Sequence, residues 1–580
     1  MILGAILTVI FTASNVYLGL KVGLTFSSAI PAAVISMAIL KMAKDSNILE
    51  NNMVQTQASA AGTLSAIIFI IPGMLMIGYW QGFEFWQTLI VSACGGCLGV
   101  LFTIPLRRAM VVHSDLAYPE GVAAAEILKV GSSSKAQQKG GSGLKEIFSG
   151  GALAGIVALC SNGFQVLGSQ LSLWFSVGRG MTQLPLGYST ALVGAGYLVG
   201  IAAGLSMLVG ILIAWAGFVP YYTITSALPD GMTMQKFAGT VYQQRVRLIG
   251  AGAMGVAAVW TLLTLARPVI DGVKESLAAV RMPDADKGKH RMDIDMSAKS
   301  VGLVFLVTVV GLLCIFYAFV SPENLPAAET LAFTVVGVGV AVLMGFFVAA
   351  ACAYMAGLVG TSSSPISGIG ILAIIVASLV IAPVLNLLYE AYGFPGALPR
   401  PGMDPAQALA APQAALMTTI AQGIFSGALE WGYIYIGIGL GVVLVAIDQF
   451  LKHSTKSLCL PPLAVGMGIY LPPVVQTPLI VGAVLGYFLR KHLRAQGGEE
   501  AEAAGNRRGT LFASGLIVGE SIIGVLLAGV IVVSVTGGGS DAPLALVGKD
   551  FAGTAEYLGL AVFAVSLLIF SKVVLGSSDK

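Results

Sequence analysis

Residues 301–320 read Val-Gly-Leu-Val-Phe-Leu-Val-Thr-Val-Val-Gly-Leu-Leu-Cys-Ile-Phe-Tyr-Ala-Phe-Val. No charge interrupts these twenty residues. A helix of about 20 apolar residues reaches across the hydrocarbon core of a bilayer, so the stretch predicts a transmembrane helix. The pattern recurs outward in both directions. Spans are expected near 2–20, 24–43, 54–79, 86–106, 149–175, 190–217, 246–268, 301–320, 328–353, 369–390, 412–430, 432–451, 474–493, 511–536 and 554–576. Two shorter apolar pieces, 116–130 and 461–471, read as half-spans. The expectation is an all-α integral membrane protein of about 16 transmembrane helices (roughly 15–17). No segment alternates apolar and polar residues over a barrel-strand length, which argues against an outer-membrane barrel.

Composition agrees. Of 580 residues, 56% are hydrophobic and only 10% charged, and the mean hydropathy is +0.88. A soluble domain carries about 25% charged residues, so this surface faces lipid. The 73 glycines suit close helix packing and broken helices; Gly196, Gly200 and Gly204 read as packing positions. The net charge of +3 forms no basic stripe, which argues against a nucleic-acid partner. Cys94 and Cys97 form C-x-x-C inside a Gly-rich apolar run with no βαβ pattern around it, and read as small packing side chains. Met1 to Leu20 reads as the first span rather than a signal peptide.

Two polar segments punctuate the chain, Ser132–Lys145 and the charged loop 271–300. Lys41, Lys44, Arg107 and Arg108 follow the second and fourth spans. The positive-inside rule then places the N-terminus and loop 271–300 in the cytoplasm, for a multi-pass protein of the inner (cytoplasmic) membrane. A faint repeat pairs Tyr17, Gly19 and Leu20 with Tyr354, Gly357 and Leu358, and Leu116 and Pro119 with Leu458 and Pro461. It suggests two halves, 1–300 and 301–580, in the manner of carriers whose sites lie at broken helices.

Polar residues inside apolar spans are costly and mark function or helix contacts. Four clusters stand out. The first, Asn15–Thr25, carries Asn15, Tyr17 and Lys21 at a Gly-rich helix end. The second, Asn51–Ser59, places Asn52, Gln55 and Ser59 on one helical face. The third carries Tyr118, Pro119, Glu120 and Glu126; Glu120 either stabilises a helix N-terminus or takes up and releases a proton. The fourth, Tyr354–Gly368, holds Thr361, Ser362, Ser363 and Ser364 between glycines and a proline, as a re-entrant loop would. Glu430 and Glu520 are further isolated carboxylates, Glu520 well inside 511–536. The substrate-binding set is thus Asn15, Tyr17, Lys21, Asn52, Gln55, Ser59, Tyr118, Tyr354 and Thr361–Ser364. The proton-coupling set is Glu120, Glu126, Glu430 and Glu520.

No H-E-x-x-H, G-x-S-x-G or phosphate loop occurs. No catalytic residue, metal ligand or cofactor is therefore expected, and transport runs on an ion gradient or passively. The partners expected are a small peptide or metal-chelate substrate, protons and the bilayer; a homo-oligomer is compatible with the sequence.

At these clusters the sequence resembles the oligopeptide transporter family, nearest its bacterial members and the plant yellow stripe-like metal-chelate transporters. The resemblance rests on Asn15–Thr25 with Ile30–Ala33, Asn51–Thr56, Tyr118–Gly121 with Ala125–Glu126, Tyr354–Gly360 and Ser514–Glu520. It implies about 16 helices arisen by duplication, and proton-coupled uptake of short peptides or of metal–siderophore or metal–amino-carboxylate chelates. One departure bears on specificity. Relatives carry a stretch of the type Q-D-L-K-x-G where this chain reads Gly427-Ala-Leu-Glu-Trp-Gly-Tyr433.

Overall fold

In a computed structural model the chain is helical almost throughout. The residues described are 1–22, 28–41, 47–107, 142–229, 231–257, 298–321, 326–359, 388–394, 431–455, 459–537 and 542–576, with isolated positions such as Tyr118 between them. In chain order the main elements are α1 (Ile2–Val22), α2 (Ala29–Leu40), α3 (Ile48–Leu64), α4 (Phe85–Arg107) and α5 (Ser142–Ala158). A hairpin of β1 (Gln170–Val177) and β2 (Gly180–Gly187) follows, then α6 (Thr190–Val199) and α7 (Ile201–Ile211). Next come α8 (Ala298–Val320), α9 (Ala327–Val359), α10 (Trp431–Thr455), α11 (Pro462–Tyr470), α12 (Pro473–Thr536) and α13 (Ala552–Leu575). Gly497 and Gly498 leave helical geometry and divide α12 into two arms, 473–496 and 499–536. Among the described residues, eight helices are long and apolar enough to cross a membrane.

Two compact units share the chain: Met1–Gly141 with Leu262–Leu409, and Ser142–Thr261 with Ala410–Lys580. In the first, α4, α8 and α9 pack on one another through Leu98, Leu312 and Val338, with Phe102 and Phe316 beside them. Their outer faces expose Leu303, Leu306, Val307, Leu331, Val335 and Val336. That is where a lipid-facing helix keeps its apolar surface. Some hydroxyls in such spans are satisfied within their own helix, as Thr308 donates to the Val304 carbonyl at 2.8 Å, while those of Thr88 and Ser92 in α4 are buried without a partner. The Cys94 sulfur sits where a Cβ on Gly311 would stand, which fits a packing role for that thiol. Tyr17–Leu20 and Tyr354–Leu358 lie in the last turns of α1 and α9, both in this unit. Leu116, Pro119 and Leu458 of the second repeat pair lie outside the described residues.

The second unit departs from the expected spans in two places. Residues 149–175 are not one helix. The helix gives way to a π-turn at Leu159–Gly163, and residues from Gln170 form β1, paired antiparallel with β2 from Gln170↔Gly187 to Val177↔Gly180. Leu171, Leu173 and Phe175 fall on one face of β1 and Ser172 and Ser176 on the other with Trp174 between them, an incomplete alternation that a mean hydropathy over twenty residues conceals. Likewise 190–217 is interrupted. Gly200 has φ +87° and ψ 172°, open to glycine alone, so it ends α6 and starts α7 instead of packing like its neighbours.

A second interruption follows α11. Leu471 is extended (φ −74°, ψ 147°), as the residue before proline must be, and Pro472-Pro473 restarts the chain as α12. The two broken helices lie antiparallel, α6 on the first arm of α12 and α7 on α11. Their glycines interlock reciprocally. A Cβ on Gly196 would strike the Leu479 carbonyl, and one on Gly482 the Val193 carbonyl. A Cβ on Gly210 would strike the Val465 carbonyl, and one on Gly468 the Met207 carbonyl. Backbones this close gain dispersion that lipid does not offer side chains at a distance.

Candidate functional site

The buried polar groups of the first unit gather where α1 meets α3. Asn47 starts α3 by accepting the Leu49 and Glu50 N–H groups at 2.9 and 3.0 Å. Asn51, one turn on, donates to the Asn47 carbonyl at 3.0 Å and accepts the Ser36 hydroxyl of α2 at 3.0 Å. Asn15 in α1 donates to Ser28 at 3.2 Å, and Gly62 of α3 supplies the room, because a Cβ there would overlap Ser28. Gln55, Thr56, Gln57 and Ser59 are all buried. Gln57 presses on Gly4, where no side chain blocks it, and neither of its amide atoms has a partner. The Thr12 and Ser14 hydroxyls of α1 are also buried and unpartnered. Each such group forfeits about 1–3 kcal/mol until something polar reaches it.

Of the residues expected to bind substrate, this brings Asn15, Tyr17, Gln55 and Ser59 into one buried layer, with Asn52 at its partly exposed margin. Tyr118 stands apart with φ +42° and donates its hydroxyl to the Met110 carbonyl at 2.9 Å. Lys21 and Tyr354 lie at helix ends and only their backbone is described. Thr361, Ser362, Ser363, Ser364, Glu120, Glu126 and Glu430 fall outside the described residues.

Glu520 is described, and it is buried in the second unit. Its carboxylate accepts the Ser189 hydroxyl at 2.8 Å and the Ala191 N–H at 3.0 Å. It therefore caps the N-terminus of α6, where free N–H groups and the helix dipole favour negative charge. Gly194 lets α6 approach Ala513, and Gly519 lets the Glu520 turn approach Gly151 of α5. Sequence reasoning left out Ser28, Ser36, Gln57 and Ser189. Ser189 sits just before the expected span 190–217, where a hydroxyl looks like any loop residue, and Ser28 and Ser36 are lone hydroxyls inside the expected span 24–43. Gln57 lies off the face chosen for Asn52.

The comparisons with known proteins agree along the chain. The family profile described as “OPT oligopeptide transporter protein” matches residues 1–377 and 371–531. The chain is similar to a Haemophilus influenzae protein named “Putative oligopeptide transporter”: 48% identity over 632 aligned positions, covering 96% of this chain and 99% of the relative. A shorter likeness, 28% over 140 positions, covers 20% of this chain and 19% of “Putative oligopeptide transporter YGL114W” of Saccharomyces cerevisiae. A profile match over most of the sequence and a relative aligned almost end to end make this multi-pass, all-α membrane protein a member of the OPT oligopeptide transporter family.

Proposed function

We propose that the chain is a secondary active transporter that couples uptake of short oligopeptides across the cytoplasmic membrane to protons, by alternating access. The observation that carries this is the α1–α3 layer, in which amides and hydroxyls are buried and Gln57 lacks partners on both amide atoms. A peptide backbone offers the matching donors and acceptors at short, regular spacing. Lys21, Tyr118, Tyr354 and Thr361–Ser364 complete the proposed substrate set. Glu120, Glu126, Glu430 and Glu520 form the proposed proton-carrying set, and Glu520 has a stated means. Protonation removes acceptor capacity from the oxygens that hold Ser189 and Ala191, loosening the start of α6. Proton capture is thereby tied to movement of a helix. The family membership and the relatives' names support a peptide substrate.

The test is reconstitution into liposomes holding a pH-sensitive dye. Di- to tetrapeptides should acidify the lumen, and an imposed proton gradient should concentrate them. Acidification by a metal–siderophore or metal–amino-carboxylate chelate alone would instead identify a chelate carrier. Flux that no proton gradient can concentrate would indicate a passive channel. Gln57→Leu should slow peptide uptake about tenfold, the equivalent of about 1.4 kcal/mol. Unimpaired gradient-driven accumulation in both Glu120→Gln and Glu520→Gln would refute the proton assignments.

A further inference from the structure

We infer that the junction of the two interrupted helices in the second unit is a recognition site for a carboxylate. The ligand's identity as a peptide, with its C-terminal carboxylate, rests on the function proposed above; the anion chemistry does not. At the break after α11, Pro472 and Pro473 have no N–H to offer, and the carbonyls of Gly468, Tyr470 and Leu471 take side-chain donors instead. Tyr242 donates its hydroxyl to the carbonyls of Tyr470 and Leu471 at 2.9 and 2.6 Å. Gln476 donates its amide to Gly468 and Leu471 at 3.0 and 2.6 Å. The break is therefore held by two buried side chains.

These groups stand in one contiguous frame. The Trp215 ring lies 4.9 Å from that of Tyr242, and the Arg247 guanidinium lies 4.4 Å over the ring of Tyr470. Three polar atoms of the frame are buried with no partner: Trp215 Nε1, Arg247 Nε and Gln476 Oε1. Trp215 is 3% exposed and Gln476 is 0%. Among the described residues, no carboxylate lies within ion-pairing distance of Arg247.

The chemistry of the three empty valences is specific. Two are N–H donors, one of them on a permanent cation, and a guanidinium pairs geometrically with a carboxylate. The third is an acceptor, suited to the last peptide N–H, which lies next to the carboxylate in every free peptide. A water molecule could fill one such vacancy, whereas a carboxylate has acceptor oxygens for both donors at once.

The experiment compares tri-alanine with tri-alanine amide as substrates of the full-length protein in liposomes. Wild type should take up the free acid about tenfold faster than the amide. Arg247→Gln should collapse that ratio to about one. Trp215→Phe, which keeps the ring contact and removes the N–H, should lower it about threefold. Equal uptake of acid and amide by wild type overturns the inference, as does an undiminished ratio in Arg247→Gln. If neither peptide is transported, the peptide reading fails and thermal stabilisation by the iron(III) complex of EDTA decides the site. Stabilisation lost in Arg247→Gln upholds a carboxylate site; stabilisation absent from wild type, or equal in both, overturns it.

Discussion

Removing the Glu520 side chain tests whether one carboxylate both anchors α6 and carries protons. The Ser189 hydroxyl, at 2.8 and 2.9 Å from its two oxygens, and the Ala191 N–H, at 3.0 Å, both donate to it. Hydrogen bonds to a charged group contribute about 1.5–3 kcal/mol each. Glu520→Ala deletes both and leaves the Ala191 N–H buried without an acceptor, so a loss of about 3–5 kcal/mol is expected. Glu520→Gln keeps one acceptor oxygen and should lose only about 1–2 kcal/mol. Ser189→Ala removes the hydroxyl that also accepts the Leu192 N–H at 3.3 Å, a cap contact worth about 1 kcal/mol. At roughly 2 °C per kcal/mol for a large domain, Glu520→Ala should melt about 6–10 °C below wild type. The assay is heating in detergent followed by fluorescence-detected gel filtration. Glu520→Gln should stay folded yet fail to concentrate peptide against a gradient. A melting point in Glu520→Ala within about 1 °C of wild type would refute the anchoring argument, because buried charge-assisted bonds cannot be lost at so small a cost.

Three further outcomes are expected. Gly196→Ala, which drives a methyl into the Leu479 carbonyl, should lower the melting point by an amount matching about 1–3 kcal/mol. Gly439→Ala, in α10 with open space around it, should raise it by up to about 1 kcal/mol, and the same heating assay reads both. Asp448 is buried, pairs with Lys452 at 2.6 Å and accepts the Leu460 N–H at 3.0 Å, whereas the Lys452 side chain is 54% exposed. Asp448→Ala should therefore cost about 2–3 kcal/mol and Lys452→Ala under about 1; equal losses would mean that the ion pair, not the backbone contact, holds the loop.

The membrane architecture was legible because hydropathy over bilayer length is a local property of the chain. Asn15, Gln55, Ser59 and Glu520 were legible for the complementary reason, as polar side chains inside apolar runs. What escaped depends on tertiary packing. Gly200 and Gly196 look alike in sequence, and only the antiparallel partner decides that one turns the chain while the other admits a carbonyl. The β1 alternation is too short to stand out beside an apolar helix. Gln476 lies near the start of the expected span 474–493, and nothing in the sequence shows that it satisfies the carbonyls of Gly468 and Leu471. Arg247, just after Arg245, reads as an interfacial cation until the Tyr470 ring is found beneath it.

The reciprocal glycine contacts also constrain how the gene can change length. Gly196 to Gly210 encloses as many residues as Val465 to Leu479, and Val193 to Met207 as many as Gly468 to Gly482. Deleting or inserting one residue at either break would rotate every position beyond it by about 100° and carry each glycine off its carbonyl. Only a matching change at the other break restores the fit. These two stretches, some 270 residues apart in the chain, can change length only together.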